Sequence, residues 1–156
     1  MVSKRFSKAS PAFWVAARIF LGFVFAYAGF SKLTEPVENF RGVIAEYRVI
    51  PYVFIPAVSL VMPWIEFVSG IFAVIGYAPR ASSLILAVLC GGFLLVLGSS
   101  QLLLDSAPVT CGCFGQGGLH LTVRQVFLLD AVNLAFGLKL YSLRDHPFSL
   151  DRLLKK

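Results

Sequence analysis

Two cysteines separated by one glycine are the residues of this sequence best suited to chemistry. Cys111 and Cys113 stand in the segment TCGCFGQGG, residues 110–118. Thiols this close can form a disulfide only by closing a tight ring, and Gly112 permits the unusual backbone that the ring requires. A strained and accessible disulfide is easily reduced, which suits a catalytic or relay pair better than a structural one. The spacing therefore favours thiol–disulfide exchange at Cys111 and Cys113.

Two other uses of the cysteine pair stay open. The first is a structural clip that closes the loop, and the second is a metal–thiolate site. Two sulfurs fall short of the four ligands of a structural zinc site. Together with His120 they could hold Cu(I). Of these uses we favour thiol–disulfide exchange, and we therefore expect no bound metal. Arg124 follows closely in the sequence and would stabilise a thiolate. Cys90 lies within an apolar run and is expected to be a packing residue.

Composition indicates which elements must position these cysteines. Of the 156 residues, 58% are hydrophobic and 14% are charged, whereas a soluble domain is about 45–50% apolar. Four stretches reach the roughly 20 predominantly apolar residues that a membrane-crossing helix needs, namely residues 12–33, 52–76, 81–104 and 123–143. They are apolar throughout and lack the alternation of a membrane β-barrel. The sequence therefore predicts an all-α integral membrane four-helix bundle, formed as a single domain by residues 1–156.

The lysines and arginines predict the orientation of this bundle. They cluster near both termini and at Arg80, whereas the arginines of the first outer loop are offset by Glu35, Glu38 and Glu46. Because cytoplasmic segments carry the excess of Lys and Arg, both termini are expected in the cytoplasm. The cysteine loop then lies on the oxidising face, periplasmic or extracellular, of the inner (plasma) membrane. The net charge of +6 favours the lipid bilayer, and no nucleic acid, as a partner.

The first apolar stretch also has two features of a cleaved signal peptide. A basic segment precedes it, and the triplet Ala26-Tyr27-Ala28 resembles a cleavage site. Arg18 interrupts the stretch, however, and the stretch is longer than the apolar region of most signal peptides. We therefore expect it to be retained as the first span.

The loop between the first two stretches, residues 34–51, has a pattern of its own. Its apolar residues recur at helical spacing, and charged residues lie between them. The apolar positions are Val37, Phe40, Ile44 and Tyr47. This pattern predicts an amphipathic helix lying on the outer membrane face, the alternative being an irregular loop.

Two shorter patterns concern helix packing and helix ends. Gly91, Gly92 and Gly98 lie in the third stretch and predict close packing of that helix against a neighbour. Thr122 and Gln125 have the spacing of a capping box, which predicts that the fourth helix begins there.

Four ionisable residues lie within the predicted spans: Arg18, Lys32, Glu66 and Asp130. Such residues are costly in a membrane and are candidates for function. Counting about 1.5 Å of rise per residue brings Arg18 and Glu66 to similar depths, which predicts an ion pair between them. Asp130 lies near the outer end of its span, where Lys32 or Arg124 could reach it. A structural role and a proton-handling role both stay open for these charges.

The same residues carry a resemblance to a known family. The chain resembles the DoxX-like superfamily of small four-helix membrane proteins, most closely the branch of the methylamine utilisation protein MauE. The likeness runs from Arg18 to Asp130 and rests on GFSKL at residues 29–33, PWIE at residues 63–66 and CGCFG at residues 111–115. The cysteine motif is the most specific of the three.

This resemblance implies a membrane redox accessory protein. MauE-like proteins are associated with forming or maintaining disulfides in exported methylamine dehydrogenase, beside a thioredoxin-like partner, and DoxX-like relatives are linked to quinone-coupled sulfur oxidation. We therefore expect a component of a thiol–disulfide oxidoreductase system that exchanges electrons with a thioredoxin-like exported protein and with a membrane carrier such as quinone. The rival hypothesis is a non-catalytic subunit that anchors or assembles a larger membrane redox or respiratory complex.

Overall fold

A computed structural model describes residues 11–103 and 122–142 of the chain. It contains five helices, so the all-α prediction is confirmed over these residues. The helices are α1 (Pro11–Thr34), α2 (Val37–Glu46), α3 (Ile55–Ile75), α4 (Pro79–Leu103) and α5 (Val123–Ser142). The predicted cysteine pair, Cys111 and Cys113, lies outside the described residues.

Three of the described helices, α1, α3 and α4, are long and apolar enough to cross a membrane. Helix α5 occupies the fourth predicted stretch but does not reach the same apolarity, because it carries Arg124, Asp130, Asn133 and Lys139. Helix α3 begins three residues later than the predicted residue 52. A turn over residues 52–54 precedes it, and Pro56 stands in its first turn, where a missing N–H is tolerated.

The tightest helix contact joins α1 to α3 through glycines. A β-carbon added at Gly22 would lie 2.7 Å from the carbonyl oxygen of Gly70, and one added at Gly29 would lie 2.6 Å from the backbone nitrogen of Phe67. A β-carbon at Gly70 would in turn lie 2.5 Å from the backbone nitrogen of Ala26. The two backbones therefore touch, as small residues allow between membrane helices.

The packing predicted for the glycines of α4 is wrong. A β-carbon at Gly91, Gly92 or Gly98 would meet nothing within 4 Å. These glycines face open space on the helix, so their small size brings no neighbouring described helix closer. Helix α4 instead approaches α5 at Gly137, where a β-carbon would lie 3.1 Å from that of Ala87.

A compact apolar core joins the four long helices. Its members are Leu21 and Phe25 of α1, Ala73 of α3, Leu86 and Cys90 of α4, and Leu140 of α5. Cys90 is fully buried there, in agreement with the packing role predicted for it. The core holds these four helices together.

Helix α2 lies within the segment where an amphipathic helix is predicted. Its buried residues Phe40 and Ile44 pack with Ile55 of α3. Tyr47, at the end of α2, packs with Leu97 of α4 and Val126 of α5. The apolar face of α2 therefore packs against the other helices, and α2 covers one end of the molecule.

The connection between α3 and α4 is a tight turn, as the short predicted loop requires. Gly76 ends α3 in the left-handed conformation, with φ of 77°. The N–H groups of Gly76 and Tyr77 both donate to the carbonyl oxygen of Phe72, at 2.9 and 3.0 Å. This closure of the last helical turn lets α4 begin at Pro79 and run antiparallel to α3.

Candidate functional site

A buried ion pair lies where α1 ends against the middle of α3. Lys32 Nζ donates to Glu66 Oε2 at 2.6 Å, and the two side chains are 1% and 0% exposed. A hydrogen bond between charged groups is short and strong, and the low dielectric of a buried site strengthens it further. Glu66 is therefore held by Lys32 in a position closed to solvent.

The predicted pairing of Glu66 with Arg18 is wrong. The guanidinium of Arg18 lies beside Gly76, because a β-carbon there would come within 2.9 Å of Arg18 Nη2. Gly76 stands at the C-terminal end of α3, whereas Glu66 lies in the middle of that helix. A cation is favourable at a helix C-terminus, since it faces the negative end of the helix dipole.

The register of α1 and α3 explains this difference. The contact of Gly22 with Gly70 places Arg18, one turn earlier in α1, beside the end of α3. The contact of Gly29 with Pro63 and Phe67 places the next turn of α1, with Lys32, beside Glu66. The predicted pairing of Arg18 with Glu66 came from counting residues inward from the ends of the first two apolar stretches. That count does not give the register of α1 against α3, because the two stretches do not end at the same level.

Two aromatic rings flank the ammonium group of Lys32. Its Nζ lies 5.1 Å from the ring centroid of Phe40 on α2 and 5.2 Å from that of Phe93 on α4. A cation over an aromatic face gains about 2 kcal/mol or more when it is desolvated. Lys32 thus connects four helices, since α1 carries it, α3 supplies the acid, and α2 and α4 supply the rings.

Asp130 of α5 brings a second buried acid to this region. Its side chain is buried, and it interacts electrostatically with Lys32 and Glu66. The thiol of Cys90 lies within electrostatic range of both acids. We refer to Lys32, Glu66 and Asp130 as the interior charge cluster. Arg124, the other basic residue considered for Asp130, has an exposed side chain on the first turn of α5.

Several buried polar atoms near this cluster have no hydrogen-bond partner among the described residues. They include Glu66 Oε1 and both side-chain heteroatoms of Asn133, a residue that is fully buried. Asn133 follows Asp130 by one turn on the same face of α5. No sequence motif singles out Asn133, although an asparagine within an apolar stretch is a signal that could have identified it.

An apolar cavity of about 60 Å³ lies between α2, α3 and α4. Phe40 and Phe93, the rings that flank Lys32, form part of its wall, and Tyr47, Met62 and Leu97 also line it. A dry cavity of about 150 Å³ is large enough to hold benzene. This cavity is smaller and is too small for the ring of a quinone.

Tyr47, on the wall of this cavity, carries a neutral phenol at neutral pH. Burial, together with the carboxylate of the adjacent Glu46, raises the pKa of Tyr47 to about 12. Its role in the described structure is packing, since it lies against Leu97 and Val126.

The start of α5 defines one end of the segment that carries the cysteines. The Thr122 N–H donates to Gln125 Oε1 at 3.0 Å, and the Thr122 hydroxyl lies 3.0 Å from the same oxygen. The predicted beginning of the fourth helix at Thr122 and Gln125 is therefore confirmed. Within the described ranges, no group of three or more His, Cys, Asp or Glu side chains could hold a metal ion.

Comparison with known proteins identifies relatives of the chain. Residues 10–140 match the family described as methylamine utilisation protein MauE. The methylamine utilization protein MauE of Paracoccus denitrificans is 35% identical over 105 residues, which are 65% of this chain and 54% of that protein. The chain thus matches about half the length of this curated relative. No solved structure matches the chain significantly.

Proposed function

The chain belongs to the MauE family, and we propose that it is a membrane component of thiol–disulfide exchange that serves methylamine utilisation. The observation that carries this proposal is the Cys111-Gly112-Cys113 motif, which falls inside the matched residues 10–140. The motif lies in the segment that joins the end of α4 to the start of α5. We infer the process, methylamine utilisation, from the name of the relative from Paracoccus denitrificans.

The proposed topology has four spans, with α5 crossing the inner membrane beside α1, α3 and α4. The faces of α5 support this assignment, because Asp130 and Asn133 are buried while Leu128 and Val132 are exposed. The polar residues that lower the apolarity of α5 thus face the interior, and apolar residues remain on the surface that would meet lipid. This arrangement agrees with the resemblance to DoxX-like four-helix proteins.

In this topology both termini are cytoplasmic, and the cysteine segment and α2 lie at the outer face. Helix α2 would rest at the membrane surface, with its apolar face against the bundle and its charged residues toward water. The outer compartment is oxidising, which is where disulfides form and persist. An exported thioredoxin-like protein could therefore reach the cysteine pair directly.

The proposed reaction passes two electrons and two protons from a dithiol to a disulfide. A thiolate of Cys111 or Cys113 attacks a disulfide of the partner and forms a mixed disulfide, and one partner thiol leaves. The second cysteine then attacks the mixed disulfide, which leaves a Cys111–Cys113 disulfide and a partner dithiol. The reverse sequence oxidises the partner. Arg124, exposed on the first turn of α5, would stabilise the attacking thiolate.

A membrane quinone is the proposed second electron carrier. Oxidation of the cysteine dithiol by a quinone would yield the disulfide and a quinol, which balances two electrons and two protons. The interior charge cluster would have a separate task. By fixing α2 on α1, α3 and α4 through Lys32, it would keep the outer surface, where the partner docks, in one arrangement.

Trapping of the mixed disulfide tests the proposal. We expect Cys111→Ser or Cys113→Ser, made separately, to accumulate a reducible adduct with a thioredoxin-like protein, because the missing cysteine can no longer resolve it. Cys90→Ser is the matched control, since Cys90 is buried in the core and should form no adduct. If neither variant yields an adduct and the double variant supports normal growth on methylamine, the exchange proposal is wrong and the assembly-subunit hypothesis replaces it.

A further inference from the structure

Among the residues that the structure describes, the interior charge cluster contains two acids and one base. Glu66 of α3 is hydrogen-bonded to Lys32 of α1, and the buried Asp130 of α5 lies within electrostatic range of both. The other groups near the cluster carry no charge, since α4 contributes the Cys90 thiol and α2 contributes the ring of Phe40. Were both acids ionised, the cluster would hold one uncompensated negative charge.

The other described basic groups lie away from this cluster. Lys139 is nine residues, about 14 Å of helix rise, from Asp130 on α5, and Arg48 is exposed. Arg18 lies beside Gly76 at the other end of α3. Arg80 lies over the ring of Tyr141, with 5.7 Å between its Cζ and the ring centroid, and both Arg41 and Arg124 point elsewhere. Arg41 lines a groove with Tyr52 on the outer side of α2, and Arg124 is exposed.

An uncompensated charge inside a membrane bundle is costly, and two carboxylates that share one site do not both ionise readily. The geometry indicates which acid is ionised, because Glu66 accepts the 2.6 Å hydrogen bond from Lys32. We propose that Asp130 is protonated in the resting protein, so that the interior charge cluster binds one exchangeable proton.

Two unpartnered buried groups give this proton hydrogen-bonding partners. A protonated carboxyl is a hydrogen-bond donor, Glu66 Oε1 is an available acceptor, and the Asn133 amide can both donate and accept. Asn133 lies one turn from Asp130 on the same face of α5, and both of its heteroatoms lack a partner among the described residues. A polar, fully buried site of this kind suits a bridging water that carries the proton to and from Asp130.

The site has a direct use if the proposed relay operates. Oxidation of the cysteine dithiol releases two protons, and a neutral aspartate whose proton exchanges could pass one of them on. Only this use rests on the proposed function. The protonation of Asp130 follows from the charge balance and stands even if the cysteines do not exchange electrons.

Infrared spectroscopy of the purified full-length protein in lipid nanodiscs tests the proposal without a functional assay. At neutral pH we expect a carbonyl band of a protonated carboxyl group. The band should shift when the aspartates carry ¹³C in the side-chain carboxyl, disappear in Asp130→Asn, and fade reversibly as the pH is raised. Asn resembles a neutral aspartic acid in shape, so Asp130→Asn should keep the thermal stability of the wild type.

Three results would overturn the assignment. They are a wild-type spectrum without such a band at neutral pH, a band that survives Asp130→Asn, and a band that shifts only when the glutamates carry ¹³C. The last result would place the proton on Glu66. Labelling of the wild-type protein separates the two acids even if Glu66→Gln fails to fold. A failed cysteine-trapping experiment leaves each of these spectroscopic outcomes unchanged.

Discussion

Lys32 and Glu66 form an ion pair across α1 and α3, with 2.6 Å between Nζ and Oε2 and both side chains closed to solvent. The pair closes the contact between these helices at the end where α2 begins. Because the same ammonium lies against Phe40 and Phe93, it also fixes α2 and α4. One charged side chain therefore sets the arrangement of four helices.

The first prediction concerns the loss of one member of this pair. Glu66→Gln should lower the free energy of unfolding by up to about 3–5 kcal/mol, because the buried Lys32 ammonium loses its hydrogen-bonded carboxylate and keeps only the electrostatic interaction with Asp130. Thermal or denaturant unfolding in detergent measures the change. Glu46→Gln, at an exposed position of α2, is the matched control and should have little effect.

Replacement of both members distinguishes an ion pair from simple packing. Lys32→Met combined with Glu66→Met should cost less than either single change, since no buried charge is then left alone. A double variant that loses as much stability as the two single variants added together would contradict the ion-pair interpretation.

The second prediction concerns the glycine contact between α1 and α3. Gly29→Ala should lower stability by about 1–3 kcal/mol, because the new β-carbon would press against the backbone of Phe67. Gly92→Ala should instead be neutral or stabilising, since nothing lies within 4 Å and alanine favours a helix by about 1 kcal/mol. Unfolding measurements should show a loss of stability for Gly29→Ala and none for Gly92→Ala, and equal effects would show that α1 and α3 are not in backbone contact.

Much of the fold follows from the sequence because it depends on local patterns. The apolar stretches define the long helices, the spacing of Phe40 and Ile44 marks α2, and Thr122 with Gln125 marks the start of α5. Each of these signals lies within one segment of chain. Segment boundaries were less accurate, as the late start of α3 at Ile55 shows.

The partner of Glu66 could not be predicted in the same way. It depends on the register between two helices, and that register is set by Gly22, Gly29 and Gly70, which are distant in sequence and pack backbone to backbone. The glycines of α4 are equally small and predicted close packing in the same way, yet they face open space. Composition alone does not say which glycines face a neighbouring helix.

The third prediction concerns the rings beside Lys32. Phe93→Leu should lower stability by more than the same change at Phe127, which is exposed on α5, because it removes both packing and a cation–π contact. In a Lys32→Met background the cost of Phe93→Leu should shrink by about 0.5–2 kcal/mol, the cation–π part. An unchanged cost in that background would mean that the ring acts by packing alone.

The fourth prediction concerns topology. After mild reduction of intact cells, a membrane-impermeant thiol reagent should label Cys111 and Cys113, because the cysteine segment is proposed to lie at the outer face. Cys90, buried in the core, should stay unlabelled until the protein is denatured. Labelling of Cys111 and Cys113 only after cell lysis would place the segment in the cytoplasm and reverse the proposed orientation.

The most direct test of the account is the redox state of Cys111 and Cys113 in living cells that oxidise methylamine. Thiol–disulfide exchange is first quenched with acid, and differential alkylation then distinguishes thiols from disulfides. Both the dithiol and the disulfide form of the pair should be found. Deletion of the proposed thioredoxin-like partner should shift the pair toward one of these forms, because electrons then accumulate on or drain from the cysteines. A disulfide that stays complete whether or not the partner is present would contradict the relay and identify the pair as a structural clip.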